Sequence, residues 1–202
     1  SQAALLARCF PALFWGISSI ATEGFAQPGA ANQAPRIEPS ASNVSYGEHE
    51  RHVLDFYKAE SSSPTPLVLY IHGGGFVRGS KDTVNQETLK QLLDAEISVA
   101  AIHYGLAGEV PLPAAHEDAQ RAIQTLRSKA DKWNVDKTQV GAFGRSSGAQ
   151  LCMWLAYQDD QADPESSDPI ARESTRLAYV APLNGQITND FCLLYTSDAA
   201  DE

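Results

Sequence analysis

The chain has 202 residues, 43% of them hydrophobic, and its 15 basic and 25 acidic side chains leave a net charge of −10. That length carries one domain with a sizeable core, and the acidic balance argues against nucleic acid or an anionic membrane surface as partner. No His, Cys, Asp or Glu cluster has ligand spacing, so neither a metal nor a cofactor is expected.

In chain order, residues 1–26 read as the remainder of a secretory signal: Arg8, an apolar stretch from Cys9 to Ile17, then Gly24-Phe25-Ala26. Ser18, Ser19, Thr22 and Glu23 interrupt the apolar run too early for a membrane span. The expectation is therefore export, with no stable membrane insertion. Residues 27–43, rich in Pro, Ala, Gln and Ser, read as a linker. Folding is expected to start near Val44 and to continue to residue 191. Residues 44–46 and 52–57 suggest an antiparallel opening hairpin with Gly47 in its turn. The continuous apolar runs 67–71 and 97–102 suit buried strands, and 83–96 carries Leu89, Leu92 and Leu93 at helical spacing. Residues 114–133 set Ala119, Ala122, Ile123, Leu126, Ala130 and Trp133 on one helical face. A strand at 140–143, a helix at 149–157 and a strand at 177–181 follow, an alternation that predicts a mostly parallel sheet flanked by helices. Residues 192–202 resemble the translation of a sequencing adapter and are excluded from the fold. Without Asp198, Asp201 and Glu202 the net charge moves from −10 to −7. Cys152, alone between the leader and this tail, reads as a buried core thiol.

Two glycine motifs carry the chemistry. Run 67–71 leads directly into His72-Gly73-Gly74-Gly75-Phe76. Such a tetrad is expected by chance on the order of 0.002 times in a chain with 5 His and 14 Gly. After an early strand it offers backbone N–H groups to the oxyanion of an acyl-transfer intermediate. Run 140–143 leads into Gly144-Arg145-Ser146-Ser147-Gly148, a strand–turn–helix context in which flanking glycines lift the central hydroxyl clear of the sheet. Ser146 is the candidate nucleophile, and the N–H of Ser147 completes the oxyanion site.

The segments Tyr70 to Phe76, His103 to Glu109, Pro113 to Asp118 and Gly144 to Ala149 follow one another as in a family. Over about residues 44–190 they resemble bacterial esterases similar to hormone-sensitive lipase and to the feruloyl-esterase-like (BD-FAE-like) branch. The resemblance implies an α/β-hydrolase fold and carboxylester hydrolysis, with Ser146 as nucleophile and Gly74, Gly75 and Ser147 as oxyanion donors. The implied partner is a small-molecule or polysaccharide-linked ester. Many relatives read Tyr-Arg-Leu where this chain has Tyr104-Gly105-Leu106, which puts in question an ion pair to Glu109 or Asp118. A serine peptidase of the same fold and a non-catalytic binding protein on the scaffold are the alternative functions.

The mechanism needs an Asp or Glu and then a His after the serine. All five histidines (His49, His52, His72, His103 and His116) precede Ser146. His72 is expected to shape the oxyanion loop, His103 to be a satisfied core residue and His116 to lie at the surface or cap a helix. Asp159, Asp160, Asp163 and Asp168 read as a solvated loop, and Asp190 is a poor triad candidate. The expectation is a chain that lacks its later strands and its triad acid and base, is inactive as written, and exposes an aggregation-prone edge at 177–181.

Overall fold

A computed structural model describes residues 36–185. The segments expected to be a signal (1–26) and an excluded tail (192–202), and most of the expected linker, lie outside the described residues. Six strands form one sheet: β1 (Ala41–Ser45), β2 (Val53–Tyr57), β3 (Thr65–Ile71), β4 (Ser98–Ile102), β5 (Val135–Arg145) and β6 (Tyr179–Leu183), in the order β1-β2-β4-β3-β5-β6. β1 and β2 are antiparallel to their neighbours, whereas β4, β3, β5 and β6 run parallel. The predicted mostly parallel sheet with an antiparallel opening hairpin is thus observed.

The fold begins earlier than Val44. β1 starts at Ala41, Arg36 pairs with Asp82 at 2.7 Å, and the Ile37 N–H donates to Gln86 Oε1 at 2.8 Å. Hydrogen bonds to partners almost fifty residues away order this stretch, and composition cannot report them.

Between the parallel strands run α1 (Gln86–Asp94), α2 (Leu112–Ser128), the one-turn α3 (Ala130–Trp133) and α4 (Ser147–Tyr157). α1 is capped by Asn85, whose side chain accepts the Thr88 N–H. The single helix expected over 114–133 breaks at Lys129, after which Asn134 ends α3 in the left-handed region. Its predicted face is buried throughout: Ala119, Ala122, Ile123, Leu126, Ala130 and Trp133 join one cluster with Leu151, Cys152 and Leu155 of α4. Leu67, Leu69 and Ile71 of β3 and Ala100 and Ile102 of β4 point into that cluster, and Phe56 stacks on Trp133 at 4.2 Å. The alternate residues Val68, Val99 and Ala101 are buried outside it, as the two-residue period of a strand covered on both faces requires. Burial raises the Cys152 thiol pKa, in line with a core role.

Three buried charged side chains, Lys81, Asp55 and Arg127, went unread in the sequence. Lys81 Nζ lies 2.7 Å from Asp55 Oδ2, with side chains 7% and 3% exposed, and Asp55 Oδ1 accepts the Asn43 N–H at 2.8 Å. The pair joins β2 to the 3₁₀ turn Lys81–Thr83. Arg127 caps three backbone carbonyls, those of Lys137 (3.0 Å), Ser174 and Arg176. It holds down the chain that leads into β6, and the loop of Asp159, Asp160, Asp163 and Asp168, expected to be solvated, is tied down as well: Asp160 accepts the Thr175 N–H and Asp168 pairs with Arg121 at 2.6 Å.

Removing one partner of the Asp55–Lys81 pair strands the other charge. Lys81→Met should therefore lower stability by about 3–5 kcal/mol, and Asp55→Leu/Lys81→Met should recover most of that loss. Urea unfolding of the three proteins checks this, and a double variant no better than the single would contradict it.

Candidate active site

β3 and β5 are parallel neighbours with Ile71 opposite Gly144, so the segments that leave their carboxyl ends emerge side by side. That is where open α/β sheets bind ligands. After β3 comes the loop 72–79. After β5 comes a single residue, Ser146, and then α4.

Ser146 holds φ 55° and ψ −122°, a strained conformation for a residue with a Cβ. The surroundings enforce it: the Ser146 N–H donates to the Leu183 carbonyl of β6 at 3.0 Å, and its own carbonyl accepts the Gln150 N–H at 3.0 Å. The start of α4 is pressed onto the end of β3. A Cβ at Gly148 would lie 2.1 Å from the Ile71 carbonyl oxygen and 2.6 Å from that of His72. A Cβ at Gly144 would likewise lie 2.6 Å from the Ile71 oxygen, and one at Gly73 would sit 2.7 Å from the Arg145 oxygen and 3.4 Å from Ser146 Cβ. The two predicted motifs are therefore in contact, with the predicted serine between them.

Gly74 and Gly75 take φ +127° and +61°, and a Cβ at Gly74 would meet the Arg78 oxygen at 2.1 Å while the space beside Gly75 is open. None of the hydrogen bonds among the described residues uses the N–H of Gly74 or Gly75. Ser147 opens α4, so its N–H has no intrahelical acceptor. These are the three donors the sequence singles out.

Behind them stands a polar shell that sequence reading missed. Tyr104 stacks on the His72 ring at 4.2 Å, donates its hydroxyl to the His72 carbonyl at 3.0 Å, and lies 3.4 Å from Ser147 Oγ. Burial pushes its pKa up to about 12, against the opposing pull of Ser147. Gly79, at φ +122°, would put a Cβ 2.2 Å from His72 Nδ1. Arg51, from the turn between β1 and β2, donates to the Tyr104 carbonyl at 2.7 Å and the Gly79 carbonyl at 3.1 Å. Only the glycine pattern carried a signal for any of these, since Arg51 precedes the loop by more than twenty residues.

The five histidines are engaged elsewhere. His72 is buried, with Nδ1 2.9 Å from the Gly73 carbonyl; burial, then Arg51 and His103, lower its pKa to about 4 although the Gly73 bond opposes them. His103 Nδ1 accepts the Lys81 N–H at 3.2 Å, and His52 Nε2 pairs with Asp118 at 2.9 Å. His49 Nδ1 accepts the Arg51 N–H at 3.2 Å. His116, expected at the surface or as a helix cap, is 3% exposed between Phe76 (6.0 Å) and Trp154 (4.9 Å), because this part of α2 faces α4. No group of three His, Cys, Asp or Glu among the described residues is placed to hold a metal ion.

The Tyr104-Gly105-Leu106 departure has a local explanation. The Gly105 N–H donates to Asp118 Oδ2 at 2.8 Å, His52 takes the other Asp118 oxygen, and Arg51 approaches Glu109 at 4.0 Å. A Cβ at 105 would lie 2.5 Å from Val110 Cγ2. Both carboxylates thus meet a side chain from the β1–β2 turn, the His52 ring and the Arg51 guanidinium, and a side chain at 105 would run into Val110.

The chain is similar in sequence to known esterases. The chain is 35% identical over 93 residues to esterase LipI of Mycobacterium tuberculosis, a match that covers 46% of this chain and 29% of that protein. It is 31% identical over 122 residues to ethyl acetate hydrolase of Pseudomonas putida, covering 58% and 38%. The chain thus spans about a third of the length of these curated relatives. Among solved structures, the acetyl ester-xyloside bifunctional hydrolase of Caldicellulosiruptor lactoaceticus superposes with a TM-score of 0.62 at 23% identity, over 73% of this chain and 57% of the other, a likeness in fold. The profile of the BD-FAE family matches residues 54–193, which include the loop after β3, the turn at Ser146 and β6. The chain belongs to the BD-FAE family, within the α/β-hydrolase esterases.

Proposed function

We propose that the chain carries the nucleophile and oxyanion half of an exported serine carboxylester hydrolase. The observation that carries this reading is the strained Ser146 between β5 and α4, in contact with a glycine loop that has unused N–H donors. Ser146 Oγ attacks the ester carbonyl carbon while a histidine takes its proton. The oxyanion that forms is received by the N–H groups of Gly74, Gly75 and Ser147. Collapse expels the alkoxide, which leaves with the histidine's proton, and water then releases the acid from the acyl-serine by the same path.

The histidine and its carboxylate are not among these residues in this reading. None of the five histidines lies after Ser146, and the partners described for each are other groups. Family order puts both partners later in the chain. The 31% identical ethyl acetate hydrolase supports a short acyl group, and the signal-like sequence of residues 1–26 supports export to substrates such as acylated polysaccharide.

A reading frame extended from the source DNA, carrying an Asp or Glu and then a His, should hydrolyse p-nitrophenyl acetate. Ser146→Ala in it should cost on the order of a million-fold in kcat, and the 202-residue polypeptide should stay at background. Turnover by the 202-residue chain that Ser146→Ala abolishes would overturn the assignment of acid and base. Turnover by the extended protein that survives Ser146→Ala would overturn the nucleophile.

Gly148→Ala must push α4 off the end of β3. It should cost about a hundredfold or more in kcat/KM, since displacements of about 1 Å cost that much, with the far-UV circular dichroism retained. Unchanged kinetics in this variant would mean that the contact does not set the serine.

A further inference from the structure

We propose that Arg51, in the turn between β1 and β2, is a positioning residue that acts through His72 to aim the Gly74 N–H. The kinetic part of the proposal rests on the ester-hydrolase reading, while its structural part does not.

The Arg51 side chain is 17% exposed. Besides its bonds to the Tyr104 and Gly79 carbonyls, Nη2 lies 3.5 Å from His72 Nε2. A guanidinium can only donate, so His72 Nε2 is the acceptor and the ring proton sits on Nδ1. The other side of the ring requires the same tautomer, because Nδ1 lies 2.9 Å from the Gly73 carbonyl, which can only accept. Arg51 and Gly73 therefore agree on one state of His72: neutral, with the proton on Nδ1.

That state sets the next peptide. In a planar trans peptide the N–H points opposite to the C=O. Holding the Gly73 oxygen against the ring turns the Gly74 N–H away from it, toward the side where the loop has no internal acceptor. Arg51 also ties the start of the loop (His72) to its end (Gly79), a span over which three glycines resist no rotation of their own.

The turn is in turn anchored. The Tyr46 N–H donates to the His52 carbonyl at 2.9 Å, and the His52 ring stacks on Tyr46 at 5.1 Å and pairs with Asp118 of α2. Around His72 the remaining ionisable neighbours are Tyr104, stacked at 4.2 Å, and His103, edge-on at 6.2 Å. Neither supplies a donor to Nε2.

The test uses the extended esterase with ¹⁵N-labelled histidine, comparing Arg51, Arg51→Met and Arg51→Lys at neutral pH and through an acid titration. In the parent the His72 signals should report a single Nδ1–H tautomer that resists protonation. In Arg51→Met they should move toward a tautomer mixture and titrate at higher pH, because a donor and a repelling charge are gone. kcat for p-nitrophenyl acetate should fall about ten- to hundredfold with KM within about threefold, the pattern of a donor that matters in the transition state. Arg51→Lys should restore part of kcat, and should Arg51→Met fail to fold, the lysine variant carries the same readouts. A variant with unmoved His72 signals, or one whose melting temperature falls while kcat below the melt is unchanged, would overturn the proposal. An inactive parent whose His72 signals still shift on Arg51→Met would support the positioning and overturn the ester-hydrolase reading.

Discussion

The close approach of α4 to the carboxyl end of β3 is the constraint on which the rest depends. Two backbone segments meet where a Cβ at Gly148 would stand 2.1 Å from the Ile71 oxygen, a distance that no side chain permits. Because β3 and β5 are parallel neighbours, this contact forces the chain to reverse within one residue between strand and helix. Ser146 absorbs the reversal at φ 55°. The strain is small beside the burial of Leu151, Cys152 and Leu155, which the helix gains by lying where it does. The proposed nucleophile is thus presented by packing elsewhere.

The glycine loop obeys a different physics. Its Phe76 is buried in the core and its His72 ring stacks on Tyr104, but its glycines bring no stiffness, so the course between those anchors depends on hydrogen bonds to side chains outside it. Tyr104 and Arg51 meet that need from two other parts of the chain. Both work around His72, whose burial keeps it neutral. A charged ring there would have two proton-bearing nitrogens and could not accept from a guanidinium. Neutrality and loop geometry are therefore one condition.

Buried charge plays a similar part at the periphery. Asp55–Lys81 and the carbonyl-capped Arg127 join segments that lie far apart in sequence. Such groups tolerate burial only when their hydrogen-bonding capacity is met, so each fixes a loop in one arrangement. The anchored turn that carries Arg51 and His52 fixes its neighbours by hydrogen bonds in the same way, and it meets Glu109 and Asp118 where the chain has Gly105.

The sequence by itself determined the order of strands and helices, the apolar faces and the two glycine motifs, because these follow from local periodicity and from residues whose conformational range is unusual. The face from Ala119 to Trp133 and the strand–turn–helix at Ser146 needed no partner to be legible. Tertiary structure alone decided that Arg36 and Ile37 belong to the fold, that His116 is buried against Trp154, and that Arg51 reaches His72. Each of these depends on a neighbour distant in sequence, and a lone Arg or His carries no pattern that names its partner. Elements were legible because their cause is local; the shell around the candidate site was not, because its cause is the packing of segments that only the folded sheet brings together.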